Sequence, residues 1–483
     1  MNEPSVQSDL DPRRWLVLAV VGTAFFMTIL DVAIVNVAIP SIQIDLNIDE
    51  ATVQWVVTAY AITFGGFLLL GGRTADLLGR RRVFRGGLIL FTVASLTCGL
   101  AQSSEMLIAS RAAQGIGAAI ISPAALSIVT TTFREGPDRT KALGIWGALG
   151  GSGAAAGVLA GGILTKYLGW EWIFYVNVPV GAIVLALTVP FVPESRAEVE
   201  HRRFDLVGAV SVTGGLAMLV YGISKAPEVG WGSGRTIGFL AGAIAVLAFF
   251  VVWELRTRAP LVPFSIFRIS SLTSANVVGL LLGAVIFANF FMLTLYVQQV
   301  LGWSALKTGL TFLATAGTTV IWAGVCQALV TKVGPRPVAT LGLVVLGLTV
   351  LGYTRLPVDG SYWPDLLPLY LFFALGLAFG FIPVTVAAFM GVAPHQAGLA
   401  SGLLNTSQQI GGALGVAITS TIFNSHATSL IEDGQSRAAA ATSGFHWGFM
   451  ALVFFAAAGA LAALTLPRNP PEHAGEEVPA TAF

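Results

Sequence analysis

What most constrains this chain is a succession of apolar runs, each about as long as a helix needs to cross a lipid bilayer. Hydrocarbon offers backbone amides no water, so a spanning segment must satisfy them internally, as a helix of about 20 residues does. Fourteen such runs are expected, at 15–39, 52–72, 84–101, 106–130, 141–163, 171–192, 206–224, 236–256, 271–295, 306–330, 338–355, 364–391, 396–422 and 445–466. Composition supports this reading. Of 483 residues, 55% are hydrophobic and 11% charged, against roughly a quarter charged in soluble domains, which excludes an ordinary soluble enzyme. A net charge of +1 gives no ground for nucleic-acid binding. The cysteines, Cys98 and Cys326, lie in separate apolar runs and supply neither a disulfide framework nor a metal cluster. No metal and no cofactor is expected.

An even number of spans puts both termini on one side, and charge decides which side. Lys and Arg crowd the ends shared with the N-terminus, leaving Lys166, Lys225, Arg235, Lys307, Arg355 and Arg437 on the other face and Arg111 inside a span. The excess marks the cytoplasmic side, so a multi-pass cell-membrane protein with both termini inside is expected. The first span lacks a small-residue cleavage site and is read as retained. Residues 1–14 and 467–483 are expected to be disordered cytoplasmic tails. Between them the chain divides into a six-span bundle at 15–192, a linker with two extra spans at 193–270 and a second six-span bundle at 271–466.

The two bundles carry an internal repeat at a shift of about 255 residues, a common construction in transporters. The turn Gly79-Arg80-Arg81 corresponds to Gly334-Pro335-Arg336, and Gly157 and Gly161 correspond to Gly411 and Gly415. The same shift turns Asp31 into Ile286, Asp76 into Thr331 and Arg111 into Leu366. Embedded ionic chemistry is therefore confined to the first bundle.

Local motifs are more specific. Leu30-Asp31-Val32-Ala33-Ile34-Val35-Asn36-Val37-Ala38-Ile39-Pro40, Gly72-Arg73-Thr74-Ala75-Asp76-Leu77-Leu78-Gly79-Arg80-Arg81-Arg82, Arg111-Ala112-Ala113-Gln114-Gly115-Ile116-Gly117 and Trp170-Glu171-Trp172-Ile173-Phe174-Tyr175-Val176-Asn177-Val178-Pro179 stand in the first bundle. On these residues the chain resembles the major facilitator superfamily, and within it the fourteen-helix drug:proton antiporter branch. The resemblance implies an all-α membrane fold of two six-helix bundles plus two extra helices, and export of amphipathic or hydrophobic small molecules driven by a proton gradient. It also implies that Gly72, Asp76, Gly79 and Arg80 latch the halves together, with Asp76 near the start of the thirteenth span at His395-Gln396. One motif departs: the fifth-span pattern expects Gly-Pro before its paired glycines, and this chain has Gly157-Val158-Leu159-Ala160-Gly161-Gly162. The missing proline keeps open a proton-coupled symporter or uniporter of a defined metabolite. A lipid transporter is a further alternative.

Asp31 lies deep in the first span, where an ionised side chain must be paired, hydrated or protonated. Alternate exposure to the two sides would let such a carboxyl take up and release a proton. Counting about 1.5 Å per residue from the span ends brings Arg111 within reach of Asp31, so these two are the expected proton-coupling pair, a structural ion pair being the plainer alternative. Glu254, with Arg258 at i+4, reads as a flank pair. The four-residue recurrence of Gly153, Gly157 and Gly161, and of Gly398 with Gly402 and Gly411 with Gly415, permits close helix approach. These faces are expected to form the sliding contact between bundles, with static packing as the alternative. Candidate substrate-binding groups are Asn36, Gln54, Trp55, Tyr60, Gln114, Asn289, Tyr296, Gln299, Asn405, Gln408 and Gln409. Neutral and aromatic, they suit amphipathic molecules better than sugars or phosphates. Besides such substrates, protons and membrane lipids, no partner is expected, and the protein reads as a monomer. No nucleophile–base set or phosphate loop suggests an enzyme.

Overall fold

The computed structural model of the chain describes residues 12–48, 50–134, 136–196, 205–257 and 260–468. The expected tails up to residue 11 and from 469 on lie outside the described residues. Those described are helical or in turns. The helices are α1 (Arg14–Asp45), α2 (Glu50–Leu78), α3 (Arg80–Gly99), α4 (Ser104–Thr132), α5 (Pro137–Tyr167), α6 (Trp172–Tyr175), α7 (Asn177–Phe191), α8 (Leu206–Val229), α9 (Gly234–Arg256), α10 (Ser270–Leu295), α11 (Ala305–Val333), α12 (Pro335–Tyr353), α13 (Leu367–Phe389), α14 (Ala397–Glu432) and α15 (Arg437–Ala463). Among the described residues, twelve segments are long and apolar enough to cross a membrane, α6 and α7 counting as one. The remaining long helices, α5 and α14, have 31 and 36 residues but are diluted by glycine, hydroxyl and amide side chains.

Local chemistry sets the helix ends. Ser103, Asp205, Ser233, Ser304 and Ser436 each accept a hydrogen bond from the amide three residues on, satisfying one of a helix's orphan donors. Pro179 has no N–H to offer the Tyr175 carbonyl, and the single sixth span expected from hydropathy divides there into α6 and α7. The Ala/Ser-rich stretch 424–444, which reads from sequence as mobile cover, is instead the end of α14 and the start of α15. Nothing in it breaks a helix before Gly434, whose φ is +85°.

The two halves repeat one packing pattern. In the first, α1 packs on α5, α2 on α4, and α3 on α4 and α7; in the second, α10 packs on α14, α11 on α13, and α12 on α13 and α15. Each half also turns between its second and third helices on one glycine, Gly79 at φ +110° and Gly334 at φ +83°, a backbone region that costs glycine little. Beyond each glycine an amide grips the chain leaving that half's last helix: Arg80 N donates to Ser195 O at 2.8 Å, and Arg336 N to Pro467 O at 3.2 Å. The halves meet along two seams, α5 on α11 and α2 on α14. The extra helices α8 and α9 pack on each other, and α8 lies against both α2 and α14.

The glycine faces correct the sequence reading. A Cβ on Gly153 would stand 2.7 Å from Ile29 Cγ2, one on Gly157 2.7 Å from Leu30 O, and one on Gly161 2.8 Å from Ile34 O, all on α1. Gly411 and Gly415 meet the Leu280 and Ala284 carbonyls of α10. These two faces thus pack inside their own half, whereas Gly398 and Gly402 meet Gly72, Leu68 and Leu69 of α2 between the halves, as expected. The α5–α11 seam uses other positions of α5, Gly144 against Gln327 and Gly162 against Leu306, with Gly309 of α11 against Val158. Glycine spacing shows that a face is closely approached; which neighbour approaches it depends on helix rotation, which spacing does not fix.

Candidate functional site

Two sites in the first half bring the embedded charges together. In the first, Asp31 on α1 is fully enclosed and Arg111 on α4 is 1% exposed. Arg111 Nη1 donates to Asp31 Oδ2 at 2.6 Å and to Gln114 Oε1 at 2.7 Å, while its Nε donates to Val56 O on α2 at 3.0 Å. The other carboxylate oxygen, Asp31 Oδ1, accepts from Gln114 Nε2 at 2.8 Å and from Asn177 Nδ2 at 2.9 Å. Both amides also donate to Ser95 Oγ, at 3.1 and 3.0 Å, and Ser95 gives its own proton to Phe174 O at 2.9 Å. The Tyr60 ring caps the guanidinium, with Arg111 Cζ 4.3 Å from the ring centroid, a favourable cation–π arrangement. Cys98 Sγ reaches Gln114 Oε1 at 3.6 Å. Removing two charges from water costs several kcal/mol each, repaid only where geometry is good and remaining donors and acceptors are satisfied. Asp31 meets that condition with one guanidinium and two amides.

Asn177 and Ser95 are the members sequence reasoning left out of the site. Asn177 stood within a recognised motif, but an asparagine one residue past a helix break reads as punctuation. Ser95 lies in an apolar run with no local signal.

The second site lies at the end of the bundle that carries Arg80, Arg81 and Arg82. Asp76, also fully enclosed, accepts from Gly398 N at 3.1 Å and Leu399 N at 2.9 Å, the first turn of α14. Those amides are orphan donors at the positive end of a helix. Arg80 closes the arrangement: its Nη2 donates to Asp76 Oδ1 at 2.6 Å and to Pro394 O at 2.6 Å. Gly72 and Gly398 face each other backbone to backbone, leaving no room for a methyl on either. Gly79 lies under Glu194, whose Oε1 accepts from Arg81 N at 3.1 Å.

The candidate substrate residues do not gather in one place. Tyr60 and Gln114 belong to the charge cluster instead, drawn there by Arg111. Trp55 stacks on Tyr221 of α8, ring centroids 5.9 Å apart, and Tyr296 donates to Pro357 O at 2.5 Å, so both serve packing. Asn36 is exposed and donates to Val32 O at 3.1 Å; Asn405 is half-buried and donates to Ser401 O at 2.9 Å. Gln299 is exposed and Gln409 half-buried, while the Gln54 side chain lies outside what the structure describes. Asn289 Oδ1 and Gln408 Nε2 are buried without a hydrogen-bond partner, an acceptor and a donor left free on neighbouring helices α10 and α14. Glu254 accepts from Leu261 N and Val262 N at 3.2 and 3.0 Å, closing the turn after α9; its expected flank partner Arg258 lies outside the described residues.

Comparison with known proteins accords with this geometry. Residues 21–416 match the pattern described as Major Facilitator Superfamily. Over 452 residues, 92% of this chain and 89% of the relative, it is 39% identical to the puromycin resistance protein pur8 of Streptomyces alboniger. It is 40% identical over 411 residues to the cephamycin export protein CmcT of Amycolatopsis lactamdurans, covering 84% and 85% of the two chains. Among solved structures, the human organic anion transporter MFSD10 superposes with a TM-score of 0.66 at 17% identity, over 92% of this chain and all of that one.

Proposed function

Because the chain belongs to the major facilitator superfamily, we propose that it is a proton-coupled exporter of amphipathic or hydrophobic small molecules, working by alternating access in the cell membrane. The observation that carries this reading is the enclosed Asp31–Arg111 pair, an ionisable pair at membrane depth. Resistance and export proteins at 39% and 40% identity support antibiotic-like substrates, puromycin among them. In this reading α5 and α14 also cross the bilayer, giving fourteen spans with both termini cytoplasmic. The energy comes from the proton gradient, with no cofactor.

Alternating access follows from the seams. Asp76, Arg80 and the Gly72–Gly398 approach hold α2 against α14 at the cytoplasmic end, so this arrangement is closed inward. Opening inward costs the hydrogen bonds to Asp76, each worth about 1.5–3 kcal/mol when one partner is charged. A change at Asp31, on the same bundle, tips that balance. Substrate enters among neutral groups, with Asn289 and Gln408 offering unfilled hydrogen-bonding positions.

The test is proton release from proteoliposomes on addition of puromycin and a small panel of lipophilic cations, in wild type and Asp31→Asn. Release in wild type and none in the variant is expected. Proton uptake along with substrate in wild type would instead make the protein a symporter, and movement of compounds without protons would remove the coupling.

A further inference from the structure

Every polar atom bonded to Asp31 is a donor. Arg111 Nη1 faces Oδ2, and the Gln114 and Asn177 amide nitrogens face Oδ1. The amide orientations are not free. Ser95 spends its proton on Phe174 O and so has only lone pairs for the two amides, while Gln114 Oε1 is committed to Arg111 and Cys98. A carboxylate fits this enclosure; a protonated carboxyl does not, because its O–H would meet N–H groups and find no acceptor. One donor must withdraw when Asp31 takes a proton.

The three donors are not equally able to leave. Arg111 is anchored to Val56 O and capped by Tyr60, and Gln114 is tied to Arg111, all of these on α2 and α4. Asn177 is the first residue of α7, directly after the break from α6. The residues around that break are fastened to α3 by Ser95 to Phe174 O and by Tyr175 OH, which donates to Gly99 O at 2.7 Å. Asn177 is thus the donor that reaches Asp31 from outside the α2–α4 pair, just past the helical joint at Val176.

We propose that Asn177, oriented by Ser95, is a positioning residue of the proton site: it secures the ionised form of Asp31 in the inward-closed arrangement, and its bond is the one given up when Asp31 is protonated. The proposal rests on the proton-coupled reading above and deepens it. Other groups that respond to pH around Asp31 are Tyr60 from α2, Cys98 from α3 and Arg111 from α4; α7 carries no ionisable residue. Asn177 therefore acts by donating a hydrogen bond, not by charge.

The test is a pH titration of the purified full chain in nanodiscs by infrared difference spectroscopy, following the protonated-carboxyl band that Asp31→Asn removes. Asn177→Ala and Ser95→Ala are compared with wild type, thermal unfolding of each serving as the fold control. Losing one hydrogen bond to the charged form should move the midpoint of the profile to higher pH by about one unit, a roughly tenfold change in proton affinity. Ser95→Ala should move it the same way by less, since Asn177 keeps its own bond to Asp31. Profiles of both variants superimposing on wild type, while Asp31→Asn still removes the band, would overturn the proposal and leave proton coupling standing. A wild-type spectrum with no band sensitive to Asp31→Asn would sink the proton-site reading and this inference with it.

Discussion

The two halves share a backbone plan and use it differently. Arg81 and Arg336 occupy matching positions, Arg80 matching Pro335, and the amides of Arg80 and Arg336 each hold the chain that leaves their own half. The matched guanidiniums agree, Arg81 Nη1 turning back to Val192 O at 3.2 Å and Arg336 Nε to Leu466 O at 2.6 Å, each within its half; the difference is Arg80, which reaches Asp76 and, across the seam, Pro394 O. The second half lacks both members of that pair, with Thr331 where Asp76 would be and Pro335 where Arg80 would be. The opposing helix differs too. The partner of Asp76 is the first turn of α14, with free amides at Gly398 and Leu399; the matching residues of α5, Gly144 and Ile145, lie well inside a helix that begins at Pro137, where amides are already used. An acid at 331 would find no donors. Among the described residues, the ionic contact across a seam lies between α2 and α14, where a helix start supplies the donors.

The membrane interior shows the same contrast. Where the first half encloses Asp31, Arg111, Gln114 and Ser95, the repeat shift places Ile286, Leu366, Leu369 and Val350. The charged set is the larger liability, and breaking it should give the largest effect. Arg111→Leu, which copies the second half at one position, strands an enclosed carboxylate at a cost of about 3–5 kcal/mol. The double variant Asp31→Ile with Arg111→Leu removes both charges, and should recover most of the thermal stability while showing no coupled transport. Unfolding in detergent beside proteoliposome assays checks this; a double variant no more stable than Arg111→Leu would show that the cluster holds the bundle together by more than charge balance.

How far the sequence foretold this site depends on how chemistry is written in it. An acid and an arginine within apolar runs are conspicuous, and counting helical rise from the span ends sufficed to bring Asp31 and Arg111 together. Asp76 was legible through its motif. Asn177 and Ser95 were not, because neutral polar residues are common in such helices and their role comes from three-dimensional convergence of α1, α3, α4 and α7. Gly153 and Gly411 were read as close-packing faces, which they are, yet assigned to the wrong neighbour. Tyr60 and Gln114 read as substrate groups from sequence because an aromatic ring and an amide serve a cation as well as a drug.

At the seams, the latch itself should give the next largest effect. Asp76→Ala removes the bonds from Gly398 and Leu399 across the seam and should shift the equilibrium toward inward-open by at least one such bond, about 1.5–3 kcal/mol, whereas Thr331→Ala, which loses only a hydroxyl bonded to its own helix, should stay within about 0.5 kcal/mol. A reporter cysteine at Leu69, buried against Gly402, reads the difference as faster alkylation in Asp76→Ala. Equal rates in both variants would deny Asp76 its role across the seam.

The smallest effect comes from the glycines that match across the repeat. Gly72 meets Gly398 backbone to backbone, and a methyl there would also stand 3.3 Å from Gly402 Cα; its counterpart pairing, Gly144 with Gln327, leaves a methyl at 3.4 Å from Gln327 Cβ, an ordinary contact. Gly72→Ala should therefore force the α2–α14 seam apart, at a cost of about 1–3 kcal/mol typical of overpacking. Gly144→Ala should be neutral or slightly stabilising, because alanine is favoured over glycine in a helix by about 0.5–1 kcal/mol. With the Leu69 reporter, Gly72→Ala should alkylate faster and Gly144→Ala at the wild-type rate. The direction is informative because Gly72→Ala keeps Asp76 and Arg80: rapid alkylation would mean that the carboxylate can bond Gly398 and Leu399 only when the two backbones touch. Unchanged alkylation would mean that the ionic contact alone sets the seam, and that the glycine pair merely fits around it.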